Sequence, residues 1–244
     1  MRQVLQLIVW TCRLAVGGLF IFSGLIKAND PLGFSYKLEE YFETFAEIFV
    51  EHGFSFLAIT MEWMAYIAIP MSMFIVVLEI VLGILTILGV KMRQVATWLL
   101  LLIVFFTILT FVSWNWDLVK TCGCFGDFWV LTPLESFLKD IYLLLGILIL
   151  FFTRNTTHSI LTSTGDKLAI TSSGIIFFLF TFYAYNHLPF ADHRAYAIGN
   201  SLLEKMRIEK GNPLTLYKLE HKTNGAVAEM AIYPDDYQNW KPYI

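Results

Sequence analysis

The sequence predicts an all-α integral membrane protein, a bundle of spanning helices carrying a small water-facing tail. Two observations carry this. Of 244 residues, 57% are hydrophobic and 15% charged, with mean hydropathy +0.63, against about 45–50% and about 25% in an ordinary water-soluble domain. The apolar residues also gather into stretches of roughly the 18 needed to cross a hydrocarbon core of about 30 Å. A soluble globular enzyme and a disordered chain are excluded. A net charge of −3 without a basic patch gives no attraction for nucleic acid.

Taken in order, the predicted spans are Leu5–Lys27, Tyr66–Gly89, Val95–Trp116, Phe137–Phe152 and Leu168–His187. The first is retained rather than cleaved, because Arg13 interrupts it and no A-x-A cleavage site follows. Residues 37–52 place Leu38, Tyr41, Phe42, Phe45, Ile48 and Phe49 at helical spacing opposite Glu39, Glu40, Glu43, Glu47 and Glu51. This amphipathic helix lies on the membrane surface, and so acidic a polar face suits packing onto the spans or a protein partner better than binding anionic lipid. Phe56–Ala65 is apolar apart from Glu62, and is either a separate interfacial helix or an extension of the second span.

Short-loop charge sets the orientation. Lys91 and Arg93 crowd the second loop and Arg154 and Lys167 flank the fourth, whereas Asp and Glu dominate the first and third. The N-terminus and even loops are therefore cytoplasmic. Residues 1–155 form the bundle, 156–187 a cytoplasmic loop and fifth helix, and 188–244 a tail outside the cytoplasm. In the tail, residues alternate on either side of Asn224 and Gly225, a pair that favours a type I′ turn, so a β-hairpin is expected there. Two strands alone are marginal, and the tail needs a further surface to hold it.

Ionisable residues inside spans are costly and mark pairing or function. Arg13 lies about 12 Å into the first span and Glu79 about 16 Å into the second from the cytoplasmic side, at about 1.5 Å per residue. Pairing them would satisfy both charges, while the functional alternative is a proton relay or the polar end of a quinone site. Near the outer face, Lys27 and Asp140 are a second candidate pair, with Asp117 and Asp127 as competitors. Lys27 taken alone would snorkel to water. His52 and His187 are given no role.

The sharpest local feature is TCGCFGDF, with Cys122, Gly123 and Cys124 in the third loop. Two thiols one residue apart in an oxidising compartment can close a small strained ring, which is readily reduced and suits exchange. A permanently closed clasp is the other reading. Lys120 is the nearest cation to favour a thiolate, and Asp127 opposes it. No metal centre is expected, since a tetrahedral site needs about four ligands and Cys12, near the cytoplasmic face, is a small buried hydrophobe.

RLAVGGLFIFSGLIKANDPLGF, LEIVLGILTILG around Glu79, and CGCFGDF followed by TPLESFLKD resemble the DoxX/MauE family of small bacterial membrane proteins, from about Arg13 to about Leu150. The cysteines make the MauE-like branch the nearer comparison, and HLPFADHRAYAIGNSL is similar to a longer subgroup with an extra helix and an extracytoplasmic tail. The resemblance implies a DoxX-like four-helix bundle, here with a fifth helix, in a bacterial inner membrane. It also implies redox work outside the cytoplasm: thiol–disulfide exchange with, or maturation of, an exported partner, with quinone as the candidate cofactor. Cys122 and Cys124 take the family's cysteine positions, and Arg13, Lys27, Glu79, Lys139 and Asp140 its recurring polar ones. A non-catalytic subunit or assembly factor of a cell-envelope complex is the alternative, favoured by the lack of any metal cluster, nucleotide loop or nucleophile triad in the sequence.

Overall fold

A computed structural model describes residues 2–116, 125–126, 128–129, 131–187 and 189–192, and the backbone of 217–221, 227–230 and 240–242. The chain divides into two units, Met1–His193 and Arg194–Ile244.

The first unit is helical: α1 (Arg2–Asn29), α2 (Pro31–Glu51), α3 (Ser55–Tyr66), α4 (Ala68–Leu88), α5 (Met92–Trp116), α6 (Pro133–Thr153) and α7 (Ser163–Asn186). Five of these, α1 and α4 to α7, are long and apolar enough to cross a membrane. Their boundaries have local causes. Asp30 caps α2 by accepting from the Gly33 amide at 3.0 Å, with Pro31 pre-set in the first turn. Thr132 and Glu135 form a reciprocal capping box at the start of α6, again followed by proline. Gly89 ends α4 at φ +73°, and the Gly89 and Val90 amides close the last turn on Thr86 and Leu85.

Residues 56–65 fall within α3, a helix of 12 residues. At about 18 Å it is too short to cross. It packs chiefly on α2, while Phe56, Ile59, Trp63 and Tyr66 are exposed. The amphipathic helix runs from Pro31 to Glu51, longer than its periodic stretch, and buries Phe34, Leu38, Tyr41 and Phe42.

The central pairing is α1 against antiparallel α4. Gly17 and Gly83 face each other so closely that a Cβ on Gly17 would lie 2.7 Å from the Gly83 carbonyl oxygen, and one on Gly83 2.8 Å from that of Gly17. Small residues let helix backbones approach where lipid, as apolar as leucine, gives no hydrophobic drive. Further along, Gly24 meets Ile80 and the Glu79 side chain, fixing Glu79 at the level of Gly24.

In the second unit, β1 (Tyr217–His221) lies between β2 (Val227–Met230) and β3 (Trp240–Pro242), antiparallel to both. Tyr217 opposes Met230 and Glu220 opposes Val227. Asn224 and Gly225 lie outside the described residues, and no sequence signal pointed to β3.

Candidate functional site: a buried cluster of paired charges

Four charged side chains meet between α1, α4, α5 and α6. Lys27 Nζ donates to both oxygens of Glu79, at 2.7 and 2.9 Å, and each side chain is 3% exposed. The ammonium also sits 4.9 Å from the Phe34 ring centre and 4.7 Å from that of Phe106. Two aromatic faces give a cation a favourable surface in a dry setting. On α6, Asp140 is fully buried; its Oδ1 accepts from Lys139 Nζ at 2.6 Å and its Oδ2 from Thr110 on α5 at 3.0 Å.

The two ion pairs line one cavity of about 20 Å³ together with Ser23 and Phe125. That is room for about one water. With two cations and two anions the cluster is neutral overall, as burial in a low-dielectric interior demands. Lys139 is the member nearest the surface, 21% exposed.

Two expected pairings are corrected. Arg13 does not meet Glu79: its Nε donates to the Thr86 carbonyl at 3.0 Å and its Nη2 to that of Ile87 at 2.6 Å, with the guanidinium 4.1 Å from the Trp10 ring centre. Depth from each span's own end gives no common level, because α1 starts at Arg2 and runs beyond the end of α4. The Arg13 guanidinium thus reaches Gly89, while Glu79 lies level with Gly24. Side chains also lean toward their own helix N-terminus, so on antiparallel helices Arg13 and Glu79 lean apart. The same lean carries Lys27 inward onto Glu79 instead of out to water, and Asp140 takes Lys139 and Thr110 rather than Lys27. Arg13 has a capping task, donating to the Ile87 carbonyl and giving the Thr86 carbonyl a second donor beside the Gly89 amide.

Cys122 and Cys124, with Lys120, Asp117 and Asp127, lie outside the described residues. Phe125, which follows Cys124, is buried against Ile26 and Leu131, 5.7 Å from Phe22 ring to ring, and lies under the Lys139 ammonium at 5.7 Å. Cys12 is partly buried with a free thiol. His52 Nδ1 lies 2.8 Å from the Ile48 carbonyl and His187 Nδ1 2.9 Å from that of Tyr183, both local helix-end contacts. Among the described residues no three His, Cys, Asp or Glu side chains gather around a metal position. Thr110 is the member that sequence reasoning missed, since a threonine in an apolar span bonds its own backbone as readily as a partner.

Helices, apolar surface and enclosed ion pairs together define a multi-pass helical membrane protein with a polar centre inside its bundle. Residues 52–153 match the model of the family described as methylamine utilisation protein MauE, so this stretch of the membrane domain is similar to that family. The matched stretch holds Glu79, Cys122, Cys124, Lys139 and Asp140; it starts later than the resemblance, which began at Arg13. No curated protein and no solved structure matches the chain.

Proposed function

We propose that the protein is a redox-associated component of a bacterial inner membrane whose Cys122–Gly123–Cys124 loop exchanges a disulfide with an exported partner during that partner's maturation. The observation that supports this is the setting of Phe125. Phe125, the residue joined to Cys124, is buried at the cavity lined by Lys27, Glu79, Lys139 and Asp140, the costliest polar groups in the bundle.

In the exchange, one thiolate of the pair attacks the partner's disulfide and forms a mixed disulfide. The second cysteine then releases the partner as a dithiol and leaves the pair oxidised. Oxidation of the partner is the same sequence reversed. When the partner is oxidised the pair is left as a dithiol, and a lipid-soluble quinone accepting its two electrons and two protons is the candidate that closes it again; when the partner is reduced the pair is left as a disulfide, and the corresponding quinol would return two electrons and two protons. The loop lies outside the cytoplasm in this reading, with Lys91, Arg93, Arg154 and Lys167 on the cytoplasmic side and the tail on the loop's side. The family's name links it to methylamine utilisation; for this chain the client is proposed only by its chemistry, an exported disulfide-bearing protein.

Labelling of intact cells with a membrane-impermeant maleimide tests this. Mild reductant should open the pair to labelling in the wild type, and Cys122→Ser or Cys124→Ser should each leave a single labelled thiol. A pair that stays closed until the chain is denatured would make it a structural clasp.

A second reading, a non-catalytic subunit or assembly factor, has its own observation. Glu43, Glu47 and Glu51 of α2 and Glu62 of α3 line an open concavity of about 670 Å³. Such a surface suits a basic partner. If docking is the whole function, replacing these four with glutamine should abolish it while Cys122→Ser/Cys124→Ser leaves it intact.

A further inference from the structure

Ser136 on α6 is fully buried, and among the described residues its hydroxyl has no hydrogen-bond partner. That sets it apart, because the buried hydroxyls of Ser35, Ser72, Thr86, Ser173 and Thr181 each donate to a helix carbonyl. A buried polar group left without a protein partner is costly, and an internal water is the usual remedy.

One turn further along the same face stands Asp140, also fully buried. At this spacing the two Cβ atoms are about 5–6 Å apart, and the Asp140 side chain leans toward the helix N-terminus, over the Ser136 turn. Among the described residues its Oδ1 accepts from Lys139 and its Oδ2 from Thr110, whereas a carboxylate has about four acceptor positions. The cavity of about 20 Å³ that Asp140 lines has room for about one water.

The polar line runs one way only. Ser136 lies in the first turn of α6, beside the exposed Thr132 and Glu135, while beyond Asp140 the buried face continues as Leu143, Ile147 and Leu150. Helix α5 repeats the pattern. Thr110 meets Asp140 and the Trp114 ring stacks on Phe137 at 5.4 Å, an antiparallel register that brings the buried Ser113 to the level of Ser136.

We propose that Ser136 and Asp140 hold an internal water between them, through which the buried carboxylate exchanges protons with the solution at the start of α6. In uptake the water passes a proton to an Asp140 oxygen and is itself reprotonated from solution by way of the Ser136 hydroxyl; release reverses both transfers. The charged groups around Asp140 are Lys139 on its own helix, Lys27 of α1 and Glu79 of α4, with the uncharged Thr110 facing it from α5. Lys27 and Glu79 neutralise each other, so the positive charge that uptake adds falls to Lys139, the member nearest the surface. The site is independent of the thiol chemistry and stands whether or not the cysteines exchange.

Infrared difference spectroscopy of the purified full chain tests it. Acidification should raise a carboxylic-acid C=O band that Asp140→Asn removes and that Thr110→Val, which takes one bond from the same group, shifts. The second variant makes the assignment even where the first does not fold. On transfer to deuterium oxide the wild-type band should deuterate about tenfold faster than that of Ser136→Ala, the worth of one lost hydrogen bond. Ser136→Ala should also lower the melting temperature, because it strips away a water-bonded hydroxyl, whereas removing a hydroxyl bonded to nothing would raise it. No band belonging to Asp140, equal deuteration in the two proteins, or a higher melting temperature for Ser136→Ala would each overturn the proposal.

Discussion

Lys27 and Glu79 form a two-pronged ion pair inside the bundle, at 2.7 and 2.9 Å, each 3% exposed, joining the far end of α1 to the middle of α4. Neither side chain reaches bulk water. Removing one partner leaves the other's charge buried, which costs more than the pair itself contributes.

Glu79→Leu should therefore lower stability by about 3–5 kcal/mol, while Lys27→Met combined with Glu79→Leu should recover most of that loss. Thermal unfolding followed by circular dichroism in one detergent reads the difference. A double variant as unstable as the single would show that the pair is not the source of the cost.

The Asp140 carboxylate is held from two helices, by Lys139 on α6 and Thr110 on α5. Thr110→Val keeps the volume and removes a hydrogen bond to a charged group, and should cost about 1.5–3 kcal/mol. In an Asp140→Asn background the same change should cost about half as much, since neutral bonds are roughly half as strong. Equal costs in the two backgrounds would argue that the Thr110 hydroxyl does not bond Asp140.

Gly17 and Gly18 are neighbours with opposite surroundings. A Cβ on Gly17 would press on the Gly83 carbonyl and Ile87, whereas one on Gly18 would meet nothing within 4 Å. Gly17→Ala should destabilise by at least about 1–3 kcal/mol through overpacking. Gly18→Ala should be neutral or stabilise by up to about 1 kcal/mol through helix propensity. Melting temperatures of the two variants check this, and reversed signs would contradict the α1–α4 packing.

Arg13 bonds two carbonyls at the end of α4 through two different nitrogens. Lysine cannot reproduce that fork. Arg13→Lys should speed hydrogen exchange in the last turn of α4 and leave the Lys27–Glu79 region protected. Uniform loss of protection would mean that Arg13 holds the whole bundle rather than one helix end.

Much of this was legible in the sequence because it depends on local pattern. Hydropathy located the spans, whereas the helix starts capped by Asp30-Pro31 and Thr132-Pro133-x-Glu135 lie several residues before the starts that periodicity and hydropathy set. The partners of the buried charges were not legible, for a geometric reason. Depth counted along one helix does not fix its level against another, and the overhang of α1 brings the Arg13 guanidinium to the end of α4 rather than to Glu79. Thr110 carries no signal in its span, and the lean of a side chain that turns Lys27 inward appears only once two helices are set antiparallel. The cysteine motif, by contrast, is read wholly from sequence; Phe125, the residue after Cys124, is the described neighbour that lines the charged cavity.

The central claim, that the cysteine loop exchanges disulfides with an exported partner, is tested most directly by trapping the intermediate. Exchange passes through a mixed disulfide that a resolving cysteine normally breaks. Cys122→Ser and Cys124→Ser should each be expressed from the native locus and their membranes acid-quenched and run without reductant. One of the two should hold a discrete exported protein in a reductant-sensitive adduct that is absent from Cys122→Ser/Cys124→Ser. Finding no adduct with either single variant, while cells carrying the double variant retain full function, would contradict the account.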